Sequence, residues 1–277
     1  MKPPSSTQVR IHGRRLEVVR VEPSFALRAT QEAADLAPEA KSGMPPIVML
    51  HEGLGSVSMW RDFPQRVADW TACEVLAYSR VGYGKSDPID TQRNVRYMHD
   101  EALVTLPALL DTLQIERPIL FGHSDGGSIA LIFAGGTQFP LHGVIAMAPH
   151  VMVEEVSVTS IAQAKTAYQS TDLRHRLARH HDDVESAFWG WNDIWLHPEF
   201  RHWNIEEYLP RIRCPVLAIQ GEDDEYGSME QIDRVGRQVA DTHLVKLPQC
   251  RHSPHRDQPE AVLAAVGPFV RRVCALP

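Results

Sequence analysis

The feature that most constrains the fold of this chain is a repeated alternation between short apolar runs and longer amphipathic segments. Six runs of four or five residues are mostly apolar: residues 47–50, 74–78, 118–121, 143–147, 215–219 and 243–247. Continuous apolar runs of this length are typical of strands buried on both faces of a parallel sheet. Helical patterns fit between them, over residues 57–70, 97–114, 125–137, 228–240 and 257–273. We therefore expect an α/β fold with a mostly parallel central sheet flanked by helices.

The alternation fails once, in the stretch between Pro149 and Pro210, which shows helical patterns and no convincing strand. We predict that residues 1–150 and 211–277 form the core and that residues 151–210 form a helical cap insertion. The stretch holds four of the six tryptophans: Trp189, Trp191, Trp195 and Trp203. They either pack the cap onto the core or line an apolar pocket that excludes water.

The N-terminal part is predicted to differ from the rest of the core. Residues 8–21 are typical of a strand pair that breaks at His12 and Gly13, and residues 22–44 are expected to form a turn and a loop.

Composition excludes several classes of function. The chain has 28 Lys and Arg residues against 35 Asp and Glu residues, a net charge of −7, which argues against nucleic acid or an anionic membrane surface as the main partner. The four cysteines form no C-x-x-C pair, and no apolar run is long enough for a membrane span of about 20 residues. We expect a cytoplasmic protein that acts on a small molecule and binds no metal or organic cofactor.

The motif with the clearest chemistry is Gly-His-Ser-Asp-Gly-Gly at residues 122–127, between a predicted strand and a predicted helix. A G-x-S-x-G turn at such a junction can hold its serine in a strained, exposed conformation, which suits a nucleophile. Asp125 is an alternative nucleophile, but an elbow centred on it would need glycine at 123, where the chain has histidine. Ser124 is therefore the predicted nucleophile.

A serine nucleophile needs a base and an acid that orients the base. The run 215–219 leads into a carboxylate cluster that includes Asp223 and Asp224, and the next strand is followed by His252 and His255. Active sites of open α/β sheets lie at the carboxyl ends of their strands, so these groups are expected near Ser124.

This order of motifs resembles the α/β-hydrolase superfamily over nearly the whole chain. The resemblance implies Asp224 as the triad acid, three residues after the glycine that ends the strand, with Asp223 as the alternative. It implies His252 rather than His255 as the base, although Arg251 stands where the family prefers glycine.

The oxyanion hole of this family uses two backbone N–H groups. One is expected from Asp125, the residue after the nucleophile. The sequence His-Glu-Gly-Leu-Gly-Ser at 51–56 resembles the family's oxyanion loop and implies Gly53 as the second donor. Glu52 departs from the usual glycine, and we expect its carboxylate to be paired rather than catalytic.

Two further segments are interpreted as structural. Residues 79–87 resemble a glycine-rich turn of the same family, and Ser79 stands where a phosphate-binding loop would need glycine. His180, His181, Asp182 and Asp183 are expected on a solvated helix face rather than around a metal.

The sequence therefore predicts a serine hydrolase that cleaves small or medium carboxylic esters through an acyl-enzyme on Ser124. One alternative is a hydrolase of carbon–carbon bonds in vinylogous diketone acids, which needs cations for the substrate carboxylate. The candidates for that role are Arg174, Arg176, Arg179, Arg201 and Arg211. The other alternative is a non-catalytic ligand-binding member of the same fold.

Overall fold

In a computed structural model of the chain, which describes residues 6–24 and 44–276, the predicted strands form one eight-stranded sheet. The strands are β1 (Thr7–Ile11), β2 (Arg14–Val21), β3 (Ile47–Leu50), β4 (Val75–Ser79), β5 (Ile119–His123), β6 (Gly143–Met147), β7 (Val216–Gly221) and β8 (Thr242–Leu247). Their spatial order is β1-β2-β4-β3-β5-β6-β7-β8. The pairs β1–β2 and β2–β4 are antiparallel and the other pairs are parallel, which confirms the expected mostly parallel sheet.

The helices fall where the amphipathic segments predict them. They are α1 (Phe63–Thr71), α2 (Tyr97–Asp100), α3 (Leu106–Thr112), α4 (Asp125–Gly136), α5 (Glu155–Ser170), α6 (Leu173–Leu177), α7 (Val184–Trp195), α8 (Glu230–Gln238), α9 (Pro254–Asp257) and α10 (Pro259–Cys274). A π-helical turn over Glu101–Thr105 joins α2 to α3. The loop predicted over residues 22–44 lies almost wholly outside the described residues.

The central strands are apolar throughout because both faces of the sheet are covered. In β5, Leu120 packs with residues of α3 and α4, whereas Ile119 and Phe121 pack on the opposite face with residues of α1 and α10. Every residue of β5 is buried. Alternation of side chains along a strand thus fills two separate cores, and an unbroken apolar run is the result.

Three helices, α5, α6 and α7, lie between β6 and β7, in the stretch where the sequence predicts an insertion. Trp191, Trp195 and Phe200 of this stretch are buried in the same apolar cluster as the residues of β5 and α4 that face it. The division into a core and a cap over residues 151–210 stays a prediction. Across residues 6–24 and 44–276, no helix has the length and apolar character needed to cross a bilayer.

Candidate active site

The predicted site residues follow three strands of the parallel part of the sheet. Ser124 comes directly after β5, Asp224 comes three residues after β7, and His252 comes five residues after β8. β7 and β8 are adjacent, and β6 alone separates β7 from β5. Because parallel strands end at the same edge, the structure brings these three side chains together.

The turn that carries Ser124 is tight. Ser124 has φ of 54° and ψ of −119°, in the left-handed half of conformational space that non-glycine residues rarely adopt, and α4 begins at the next residue. A Cβ atom on Gly122 would lie 2.0 Å from the carbonyl oxygen of Gly126, and one on Gly126 would lie 2.1 Å from that of Leu50. Strand and helix therefore approach as closely as glycine permits.

Ser124, His252 and Asp224 form a continuous hydrogen-bonded chain. The Nε2 atom of His252 lies 2.9 Å from Ser124 Oγ, and its Nδ1 atom lies 2.8 and 2.9 Å from the two carboxylate oxygens of Asp224. The Asp224 side chain is 1% exposed. It accepts further hydrogen bonds from the N–H of Tyr226 at 2.8 Å, the N–H of Gly227 at 3.2 Å and Gln220 Nε2 at 3.2 Å.

The electrostatics of this pair favour charge on both partners. Burial would raise the pKa of Asp224, but the charge and hydrogen bond of His252 lower that pKa below its ordinary value. Burial would lower the pKa of His252, but the charge and hydrogen bond of Asp224 raise it above its ordinary value. The arrangement can therefore take a proton from Ser124 and hold the resulting imidazolium.

The two alternatives, Asp223 and His255, lie away from this chain. Asp223 is exposed, and its N–H donates to the carbonyl oxygen of Cys250. His255 is buried, its ring nitrogens have no hydrogen-bond partner among the described residues, and its ring packs against Trp60 with centroids 5.0 Å apart.

The structure places the two predicted oxyanion donors, Asp125 and Gly53, at the start of α4 and in the loop after β3. Asp125 is the first residue of α4, and the first N–H groups of a helix have no partner within the helix. No residue in the described ranges accepts a hydrogen bond from the Gly53 N–H. The indole of Trp191 lies against Gly53 so closely that a Cβ atom there would be 2.2 Å from its Nε1 atom.

Glu52 is paired, as the sequence analysis expects. Its carboxylate lies 3.5 Å from His123 Nδ1 and 3.5 Å from the guanidinium of Arg256. Burial would raise the pKa of Glu52, but His123, Arg256 and the nearby His255 lower it well below its ordinary value. His123 in turn lies with Nε2 2.7 Å from the carbonyl oxygen of His252, so its ring links Glu52 to the loop that carries His252.

Several residues beside the site were not predicted from the sequence. The rings of His150 and Tyr226 lie with centroids 5.8 and 4.8 Å from that of His252, and Trp195 lies 5.0 Å from His150. Arg80, at the end of β4, is 2% exposed and lies 3.6 Å from the Asp125 carboxylate. Arg80 and His150 both follow the carboxyl end of a strand, and the rule that pointed to Asp224 could have found them.

The helix expected over His180 to Asp183 is wrong, although Asp182 and Asp183 are exposed as expected. Helix α6 ends at Leu177, and the four residues follow it in a turn and a loop rather than on a helix face. His181 is buried: its Nδ1 accepts from the N–H of Gly84 at 3.0 Å, and its Nε2 lies 3.0 Å from the carbonyl oxygen of Leu54. Its ring therefore joins two loops.

Within the described part of the chain, no three His, Cys, Asp or Glu side chains are grouped as a metal site would require.

Comparisons with known proteins agree with this architecture. Residues 47–265 match the model of the alpha/beta hydrolase family. A 2-hydroxy-6-oxononadienedioate/2-hydroxy-6-oxononatrienedioate hydrolase from Paraburkholderia xenovorans is 33% identical over 253 residues, which cover 77% of this chain and 82% of that protein. The human serine hydrolase BPHL is 25% identical over 194 residues, which cover 65% of this chain and 64% of that protein. The crystal structure of a proline iminopeptidase from Mycobacterium smegmatis has a TM-score of 0.75 at 19% identity, covering 97% of this chain and 98% of that one.

Because strand and helix approach closely at the turn that carries Ser124, adding one methyl group there should strongly destabilise the fold. Gly122→Ala should lower the free energy of unfolding by about 3 kcal/mol or more, because the new Cβ would overlap backbone atoms that cannot rotate away. Gly127→Ala is the matched control, since its Cβ would lie 3.1 Å from a Pro149 side-chain atom, and we expect a change within about 1 kcal/mol. Urea denaturation measures both, and equal values would contradict the prediction.

Proposed function

This chain belongs to the alpha/beta hydrolase family, and we propose that it is a serine hydrolase that cleaves small or medium carboxylic esters. The observation that carries the proposal is the hydrogen-bonded chain from Ser124 through His252 to Asp224. It supplies a nucleophile, a base and a buried acid within 3 Å of one another in succession. The N–H groups of Gly53 and Asp125 support the assignment of the oxyanion hole.

The proposed reaction has two halves. Ser124 Oγ attacks the ester carbonyl carbon, His252 Nε2 takes the hydroxyl proton, and the N–H groups of Gly53 and Asp125 bind the oxygen that becomes negative. The intermediate collapses, and the alcohol leaves with the proton from His252. Water, deprotonated by His252, then attacks the acyl-enzyme and releases the carboxylic acid, and the proton returns to Ser124. We also propose that residues 151–210 act as a cap over this site.

A second candidate is hydrolysis of a carbon–carbon bond in a vinylogous diketone acid. It is supported by the similarity to the 33% identical 2-hydroxy-6-oxononadienedioate/2-hydroxy-6-oxononatrienedioate hydrolase from Paraburkholderia xenovorans. The five arginines that the sequence offers for binding the substrate carboxylate give this candidate little support. All five are exposed, and four of them face carboxylates: Arg174 faces Glu185, Arg176 faces Asp172, Arg201 faces Glu155 and Arg211 faces Glu207. Recognition of a substrate carboxylate would need other groups.

A fluorophosphonate probe tests the nucleophile. The wild-type protein should be labelled at Ser124, because an activated serine adds to the phosphorus and displaces fluoride. The Ser124→Ala variant should not be labelled, and Ser128→Ala, which removes a buried serine within α4, should label as the wild type does. Mass spectrometry of the labelled peptide reads out the site. Labelling of Ser124→Ala would overturn the assignment.

Substrate panels separate the two reactions. We expect kcat/KM for p-nitrophenyl acetate, butyrate and octanoate to exceed that for a 2-hydroxy-6-oxo-dienoic acid by about tenfold or more, because the five arginines predicted as candidates for the carboxylate of the acid are all exposed. Absorbance of p-nitrophenolate and of the dienoate measures the two reactions. Faster cleavage of the dienoic acid would establish the carbon–carbon reaction in place of ester hydrolysis.

The acid of the triad is tested by pH dependence. His252 must be neutral to take a proton, and its raised pKa means that kcat/KM should fall with decreasing pH already above the ordinary imidazole value of 6.5. Asp224→Asn removes the group that holds the imidazole tautomer and stabilises the imidazolium, so activity should drop by about 10³- to 10⁴-fold. Because the Asp224 charge also raises the pKa of His252, the acid limb should move to lower pH. Asp223→Asn should stay within about threefold of wild type, because its side chain is exposed. Loss of activity in the Asp223 variant alone would make Asp223 the acid.

A further inference from the structure

Arg80 occupies an unusual position between the two segments that carry the proposed oxyanion donors. It follows β4 directly, and its side chain is 2% exposed. Its Nη2 atom donates to the carbonyl oxygen of Glu52 at 2.9 Å and lies 3.6 Å from a carboxylate oxygen of Asp125. One buried guanidinium thus contacts the residue before Gly53 and the residue after Ser124.

The carbonyl group of Glu52 is held by several donors at once. The backbone N–H of Arg80 donates to His51 Nε2 at 3.1 Å, so this ring nitrogen carries the lone pair and Nδ1 carries the proton. That Nδ1 proton is donated to the Glu52 carbonyl oxygen at 2.7 Å, and the N–H of Gly55 donates to the same oxygen at 3.0 Å. With Arg80, three donors fix the direction of one carbonyl.

A fixed carbonyl also fixes the next N–H. The peptide bond between Glu52 and Gly53 is planar and trans, so its C=O and N–H groups point in opposite directions. Because the C=O points to the Arg80 guanidinium, the N–H of Gly53 points away from it. The contact with Arg80 therefore sets the direction of the proposed donor.

The Asp125 segment is anchored from the same side. The Asp125 side chain is 1% exposed, accepts a hydrogen bond from the Tyr97 hydroxyl at 2.7 Å and faces Arg80. Trp195 Nε1 donates to the Tyr97 hydroxyl oxygen at 2.9 Å and completes the support from α7. Because Tyr97 and Arg80 anchor the side chain of Asp125, they also help to position the first turn of α4 and its backbone N–H.

From these contacts we infer that Arg80 is a positioning residue that orients both N–H donors of the oxyanion hole. The inference rests on the proposed function, because it assigns Gly53 and Asp125 to the oxyanion. The guanidinium suits the task because it is planar and presents several N–H groups, so a single side chain reaches a carbonyl on one segment and a carboxylate on another. Lysine offers a point charge on a flexible stem and cannot hold both groups in one geometry.

The test compares Arg80→Met and Arg80→Lys with Arg93→Met. Arg93 is the control because it stacks on the ring of Tyr83, as Arg80 does, at 4.7 against 5.0 Å. It also stacks on the ring of Tyr97 at 5.0 Å, but its hydrogen bond goes to the Val81 carbonyl oxygen and not to the Glu52 carbonyl oxygen. Three quantities are measured for each protein: kcat and KM for a p-nitrophenyl ester, the inhibition constant of a trifluoromethyl ketone, and the midpoint of thermal unfolding. Addition of Ser124 to the ketone gives a tetrahedral oxyanion, so this inhibitor reports on the oxyanion donors and KM reports mainly on ground-state binding.

Arg80→Met should lower kcat by about 100-fold, the usual effect of losing an oxyanion donor, with KM within about threefold of wild type. The inhibition constant of the ketone should rise by a similar factor, and Arg93→Met should leave both quantities within about threefold. If Arg80→Met does not fold, Arg80→Lys decides the matter: it should lose at least about tenfold in kcat at an unchanged unfolding midpoint.

Three results would overturn the inference: a kcat for the Arg80 variants within threefold of wild type, an equal loss in Arg93→Met, or a loss of kcat with unchanged ketone affinity. The failure of the proposed function is recognised separately. It appears as a wild-type protein that neither reacts with a fluorophosphonate at Ser124 nor binds the ketone, whatever the Arg80 variants do.

Discussion

The structure around the site depends on the contact between the end of β5 and the start of α4. There is no room for a Cβ atom between Gly122 and Gly126, so the chain must reverse within one residue, and Ser124 takes up the positive φ that this reversal requires. Such a conformation is unfavourable for serine and persists only where the surroundings determine it. Here the buried strand β5 and the buried helix α4 hold Ser124 in this conformation, and they place its Oγ beside His252.

Most of the fold could be predicted from the sequence because burial on both faces leaves an unmistakable pattern. The run 118–121 predicts a strand that the structure places at Ile119–His123, and the run 143–147 coincides with β6. The three residues of the hydrogen-bonded chain could be predicted for a related reason. Parallel strands end at one edge, so polar residues that follow successive strands must meet there.

The rest of the site could not be predicted because it consists of contacts between loops that are distant along the chain. Trp191 lies in the predicted cap insertion, but nothing in the sequence says that its indole meets Gly53, 138 residues earlier. His181 shows the same limit. Its environment is set by Gly84 and Leu54, and the charge pattern of its neighbours suggested a solvated helix instead. Arg80 lies in the segment 79–87, whose resemblance to a glycine-rich turn says nothing of its contacts with Glu52 and Asp125.

Glu52 can lie beside the site because its side-chain carboxylate and its backbone carbonyl contact different partners. Its carboxylate turns to His123 and Arg256, while its carbonyl turns to Arg80, so the negative charge and the peptide that carries Gly53 have different partners. Asp125 repeats this division, with its carboxylate on Arg80 and Tyr97. Two acidic residues can therefore stand beside the proposed oxyanion hole, because each is matched by a cation of its own. The net charge of −7 thus says little about the electrostatic environment of Ser124.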